Sequence, residues 1–189
     1  MPTEIAPPVV TATMTEEIAR HLRLSTPLSA EDAAEAEAAF RAALAHLETE
    51  LGLCLAPRAF EQRGYLDDEG ALAAETAPVR ALTAATRVIN DGSEAALELS
   101  LFSLDRRATR TVFCCHAFVC EEIVLTYEAG FGADWSATPA DLRRAVLQLT
   151  AELYDVRHAA GVSRPLLPFG VAELIRPWRP LRLGGWGRA

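Results

Sequence analysis

The chain has 189 residues, half of them hydrophobic and 23% charged, with a net charge of −8. That is material for one domain with its own core, or one domain and an arm; it excludes wholesale disorder and any need for disulfides or metals to hold the fold. The charge is uneven, +4 over residues 161–189 against −12 over residues 1–160, which favours docking on an acidic partner over binding a nucleic-acid duplex.

The first ten residues, MPTEIAPPVV, carry no positive charge and no long apolar run, so no secretory signal is expected and the chain is expected in the cytoplasm. Residues 1–12, with Pro7 and Pro8 blocking helix, are expected to form a flexible or extended leader. Thr13 stands three positions before Glu16, a capping-box spacing that predicts a short helix over about 14–24 with Met14, Ile18 and Leu22 on one side. Ser29, followed by Glu31 and Asp32, opens a long helix over about 29–51 that Gly52 ends; Ala33, Ala36, Phe40, Leu44, Leu47 and Leu51 form its stripe.

After Pro57 the period shifts from near 3.6 to near 2, so a β insertion is expected over about 58–128. Arg58 to Leu66 reads as a strand and Asp67 to Ala77 as a loop. Alternation from Leu82 to Ile89, the turn residues Asn90, Asp91 and Gly92, and then Leu97, Leu99 and Leu101 predict a hairpin. Strands over Thr111 to Val119 and Ile123 to Glu128 would complete a small antiparallel sheet. Thr138, Pro139 and Asp141 then predict the start of a helix over about 139–160. Leu142, Ala145, Val146, Leu149, Leu153, Val156 and Ala160 make its inner stripe. Leu147, Ala151, Tyr154 and His158 lie nearly opposite and are expected to face a neighbouring subunit. Residues 13–160 therefore read as one domain, and 161–189 as a C-terminal arm broken by Pro165 and Pro168, with a short apolar face at Val171, Leu174, Ile175 and Trp178. The expected fold class is mainly α with a β insertion (α+β), a helical bundle carrying a small antiparallel sheet and an extended arm.

Cys114, Cys115, His116 and Cys120 are metal-ligand residue types, but in a strand Cys114 and Cys120 would be ~20 Å apart at ~3.3 Å per residue, too far for one tetrahedral zinc. Packed strand residues are the expectation for them, as for Cys54; a thiol- or metal-dependent enzyme built on Cys114 to Cys120 stands as the alternative. His21, His46 and His158 have no nucleophile and carboxylate arranged beside them, so no general base is named. Asp67, Asp68 and Glu69 before Gly70 read as a solvated turn. Gly130, Phe131 and Gly132 lack the later glycine or lysine of a phosphate loop, and Asp134 would repel phosphate, so they read as a backbone turn anchored by Phe131 and Trp135. No catalytic residue, metal or cofactor is expected. In the arm, Trp178 and Trp186 among Arg176, Arg179 and Arg182 match interface hot spots; single-stranded nucleic acid would suit the same residues but is opposed by the acidic body.

The order MTEEIARHLRL, an alanine-rich helix, APVRALTAATRVINDG, YEAGFGADWSATPADLRRAVLQLTAELYDVR and LPFGVAELIRPWRPLRLGG resembles the head-tail connector, or adaptor, proteins of long-tailed phages, above all the versions in gene transfer agents and related prophages. The resemblance spans about residues 13–184 and is most specific in AGFGADWSATPADLRRAVLQL. It implies a structural protein without enzymatic activity. Its copies, usually twelve, form a ring on the portal protein, present a platform to a further head-completion or tail connector protein, and let DNA pass through the channel without specific binding. It implies assembly in the cytoplasm and then residence in the particle, and a portal-docking arm at Phe169, Leu174, Ile175, Trp178, Arg179 and Arg182. The cysteine-rich stretch Val112 to Cys120 departs from that family, whose members are richer in proline and glycine there. A helical regulatory module that binds one protein partner through its tail is a further alternative.

Overall fold

The computed structural model describes residues 2–25, 28–89, 92–107, 110–117, 121–156 and 167–179. The first helix, α1 (Ala12–Leu22), begins where the Thr11 hydroxyl accepts from the Met14 amide at 3.4 Å, two residues ahead of the expected Thr13 cap. The Met14 sulfur accepts in turn from the Thr11 amide, so a thioether fills the place expected of the Glu16 carboxylate. The long helix α2 (Ala30–Leu51) is capped by Ser29, whose hydroxyl accepts from the Asp32 amide at 3.0 Å, and stops at Gly52 with φ of 66°, the left-handed turn that glycine adopts without strain. It packs along α3 (Ala140–Val156), on whose other side lies the short α4 (Phe169–Ile175).

Between α2 and α3, joined by one short strand from the leader, the chain makes two antiparallel sheets rather than one. The larger has the order β1 (Thr3–Glu4), β2 (Arg58–Gly64), β8 (Glu122–Ala129), β4 (Val79–Val88), β5 (Glu94–Ala96); the smaller has β3 (Ala71–Ala73), β7 (Arg110–Cys115), β6 (Phe102–Arg107). Among the described residues 41% are helix and 29% strand, a mixed α+β fold, and the expectation of a mainly α chain is not borne out: local periodicity counts helices well but undercounts short strands stabilised by pairing. Two further departures arise because pairing partners, not local pattern, decide where a strand forms. Ala71–Ala73, in a stretch whose composition suggests a loop, pairs with β7, and Leu99–Leu101, expected to continue a hairpin strand, forms a 3-10 turn. The leader is anchored too, since Thr3 and Glu4 pair with Glu61 and Phe60.

Two apolar cores result. The helical core gathers Met14, Ile18, Phe40, Leu44, Leu47, Leu142, Val146 and Leu149 with Val171 and Ile175 of α4. The sheet core centres on β8, where alternation turns Ile123, Leu125, Tyr127 and Ala129 inward; Phe113 of β7 meets the Tyr127 ring at 5.2 Å. One buried carboxylate ties the two together. Glu48 Oε1 accepts from the Leu55 and Ala56 amides at 2.7 and 3.2 Å and from Arg58 Nη1 at 2.9 Å, while Oε2 accepts from Arg58 Nη2 at 2.7 Å. Glu4 lies on the remaining side of the same guanidinium. Burial, the largest single influence, would lower the Arg58 pKa; Glu48 first, then Cys54 and Glu4, together outweigh it and hold the group above its ordinary value.

Candidate interaction surfaces

The segment from β8 to α3 is where the two cores and the arm meet. Gly130 leaves β8 at φ 129°, and a Cβ there would sit 3.0 Å from the Pro57 Cα, so close approach of the two chains requires glycine. Trp135, 4% exposed, donates its indole N–H to Glu17 of α1 at 2.8 Å and meets the Phe40 ring edge-on at 5.6 Å. The buried Thr138 hydroxyl, expected to cap α3, instead donates to the Leu55 carbonyl at 2.8 Å. Asp134, outside the helix, accepts from the Ser136 hydroxyl and amide, and those bonds lower its pKa.

The start of the arm docks on the same junction. Trp178 donates its indole N–H to Asp141 at 2.7 Å and packs edge-on against Phe131 at 5.6 Å, and Arg179 pairs with Glu50 at 3.1 Å. Ile175 is fully buried, Leu174 packs on the helical core, and Phe169 is 82% exposed. Of the six residues expected to form the docking arm, four are thus bound by their own body, Phe169 projects, and Arg182 lies outside the described residues.

The stripe expected to meet a neighbour divides likewise. Leu147 belongs to its own chain's core at 6% exposure, Ala151 and Tyr154 are half-buried, and His158 lies outside the described residues. Burial and then the Asp32 and Asp155 carboxylates raise the Tyr154 pKa. On the inner stripe Leu153 is exposed, because α3 outruns the core at its C-terminal end.

The cysteines are dispersed. Burial raises the Cys54 thiol to about 12; Cys115 is buried and Cys114 half-buried on opposite faces of β7; Cys120 lies outside the described residues. His116 is hydrogen-bonded to the Ser103 hydroxyl at 2.9 Å. Among the described residues no group of three or more His, Cys, Asp or Glu is placed to hold a metal ion, and no helix is long and apolar enough to cross a membrane. The sequence did not point to Glu48, Glu17 or Asp141 as polar anchors. Glu48 had one readable signal, an acid beside the apolar stripe one residue after Leu47; the other two depend on partners 118 and 37 residues away.

No protein-family model matches the chain, and no curated protein matches it. Among solved structures, a chain in the neck of an empty gene transfer agent particle, computed with C6 symmetry, is 30% identical, with full coverage of both chains and a TM-score of 0.83. A chain of the virion of a native gene transfer agent particle is 32% identical over 98% of each chain, with a TM-score of 0.82. A third, from the neck of a native particle computed with C12 symmetry, is 28% identical with full coverage and a TM-score of 0.77. Chains of this same mixed α+β fold are thus components of gene transfer agent particles. The chain belongs to the head-tail connector family of gene transfer agent particles.

Proposed function

We propose that the protein is the adaptor of a tailed phage or phage-like gene transfer particle, a structural subunit that forms a ring on the portal and a platform for further connector and tail proteins. The observation that carries this reading is the likeness, over 98–100% of the chain, to a neck chain and a virion chain of gene transfer agent particles at 30% and 32% identity. The C6 and C12 symmetries of the two matched necks support a closed ring, twelve being the smallest number of copies that satisfies both. The function needs no catalytic residue or cofactor. The acidic body suits a passage for DNA that must not bind it, assembly in the cytoplasm precedes incorporation, and the partners are the portal and the next connector.

Docking on the portal is assigned to the arm, with Leu174, Ile175, Trp178 and Arg179 fixing its root and Arg182 beyond it reaching the partner. Because Ile175 belongs to the helical core, the test removes only residues 180–189. The truncated chain is expected to keep its circular dichroism and melting temperature and to lose co-purification with the portal. Equal co-purification removes that role from the segment.

A further inference from the structure

The smaller sheet has two edges, and they are finished differently. At β3 the outward main chain is capped by its own chain. The Ala71 amide donates to the Asp67 carboxylate at 2.8 Å, the Ala71 carbonyl accepts from the Asp67 amide at 2.9 Å, and the Ala73 carbonyl accepts from the Gln62 side chain at 2.9 Å. At β6 nothing plays that part. Thr111 and Cys115 of β7 turn their main chain to the β3 side, where the Thr111 carbonyl accepts from the Ala74 amide and the Cys115 amide donates to the Gly70 carbonyl. Alternation then directs Val112 and Cys114 to their partners Asp105 and Ser103, and leaves the amides and carbonyls of Leu104 and Arg106 pointing away from the sheet. Among the described residues no group bonds to either. Beside this open edge Arg106 and Arg110 are exposed with no acidic partner among the described residues, and the sequence between them adds Arg107. Asp105, the one acid on the hairpin, has a partner of its own.

We infer that β6 takes an added strand along this edge, an extended acidic segment of a different protein of the neck. This rests on the connector reading above and names a contact surface within it. Main-chain bonds to Leu104 and Arg106 set the register of the added strand, and the unpaired arginines select its sign of charge. A second copy of the chain does not fit the place. Its other described edges are short or broken: β1 and β5 have two and three residues, and β4 is interrupted by bulges between Val79 and Ala81 and between Leu82 and Ala84. Pairing β6 with another β6 would set arginine against arginine, in a two-fold contact where a ring repeats head to tail. The C-terminal arm, at +4 over residues 161–189, has the same sign of charge as the edge and is repelled by it.

The test compares amide hydrogen exchange, resolved by residue with mass spectrometry, in the free chain and in particles purified from a producing strain. The Leu104 and Arg106 amides are expected to exchange roughly tenfold more slowly in the particle, while those of Ser103 and Asp105, already bonded to β7, change little. Arg106→Pro removes the outward N–H and spares the β6–β7 bonds, and is expected to lower retention of the next connector on the particle about tenfold. Arg106→Ala keeps the N–H and is expected to lower it only about threefold, with circular dichroism of both free variants unchanged. With the photo-reactive p-benzoylphenylalanine in place of Ser103, illumination is expected to join the chain to an acidic peptide of a different protein. Equal exchange in the two samples, from particles that hold the chain, overturns the added strand and leaves the connector reading intact. A cross-link to a second copy, or to a peptide without acidic residues, overturns the choice of occupant. Particles without this chain overturn the connector reading itself.

Discussion

The helical half and the sheet half are held together by different means. The helical core closes mainly through small and aliphatic side chains on elements that each carry their own stripe, with the Phe40–Trp135 ring pair at its border with the loop before α3, and Ala36, Ala43 and Ala145 let α2 and α3 approach closely. The sheet core closes on three rings, Phe60, Phe113 and Tyr127, brought from strands far apart in sequence, with Tyr127 stacked on one and tilted against the other. Many modest contacts make the first half tolerant of single changes, whereas the second concentrates its packing in a few large side chains.

The sharpest way to break that contrast is Tyr127→Ala, which removes a fully buried ring from the centre of the larger sheet. It is expected to cost about 3–5 kcal/mol in urea denaturation. Ala43→Gly in the helical core is expected to cost only about 1 kcal/mol, the helix-propensity difference. A ratio near one between the two would mean that the cores share their load evenly.

Next in size is the joint. Glu48→Ala strands the Arg58 guanidinium between the cores and is expected to cost about 3 kcal/mol, while the double change Glu48→Leu with Arg58→Met is expected to regain most of it. Equal losses in single and double variants would mean that the amides of Leu55 and Ala56, not the arginine, are what Glu48 serves.

Alkaline titration probes the sheet core and its border. Burial raises Tyr127 from 10.0 and Cys54 from 9.0, each to about 12. For a group whose pKa is raised in the folded state, the stabilisation is complete below the unfolded value and is lost as pH climbs towards the folded one. Between about pH 9 and 12 the unfolded chain therefore gives up these protons first, and stability is expected to fall by on the order of 2 kcal/mol for Tyr127 and on the order of 4 kcal/mol for Cys54. Tyr127→Phe and Cys54→Ala are each expected to flatten the descent, read as melting temperature against pH. The smallest effect belongs to Arg41→Ala on the surface of α2, about 0.5 kcal/mol, because its pairing with Glu37 is solvent-screened.

The same contrast explains what could be read from the sequence. Ser29 and Gly52 bound α2 through contacts within four residues, so its limits are legible from the residues themselves. Strand pairing is not local: β3 is three ordinary residues, Ala-Leu-Ala, whose conformation is decided by β7 some forty positions later. At the arm, Val171, Leu174, Ile175 and Trp178 could be recognised as one apolar face, but nothing nearby in sequence says that α3, Asp141 and Phe131 cover it. The exposure of Phe169 was equally hidden, since its residue type argues for burial.

The core around α1 is closed by residues that lie far along the chain. Met14 and Ile18 share their cluster with Val171 and Ile175, and Glu17 accepts from Trp135 across 118 residues of sequence. Closing such long loops costs entropy before the contacts they bring together can form, so α1 is expected to be among the last elements to gain protection when the chain refolds, whereas α2 and α3, which carry their own stripes, gain it earlier.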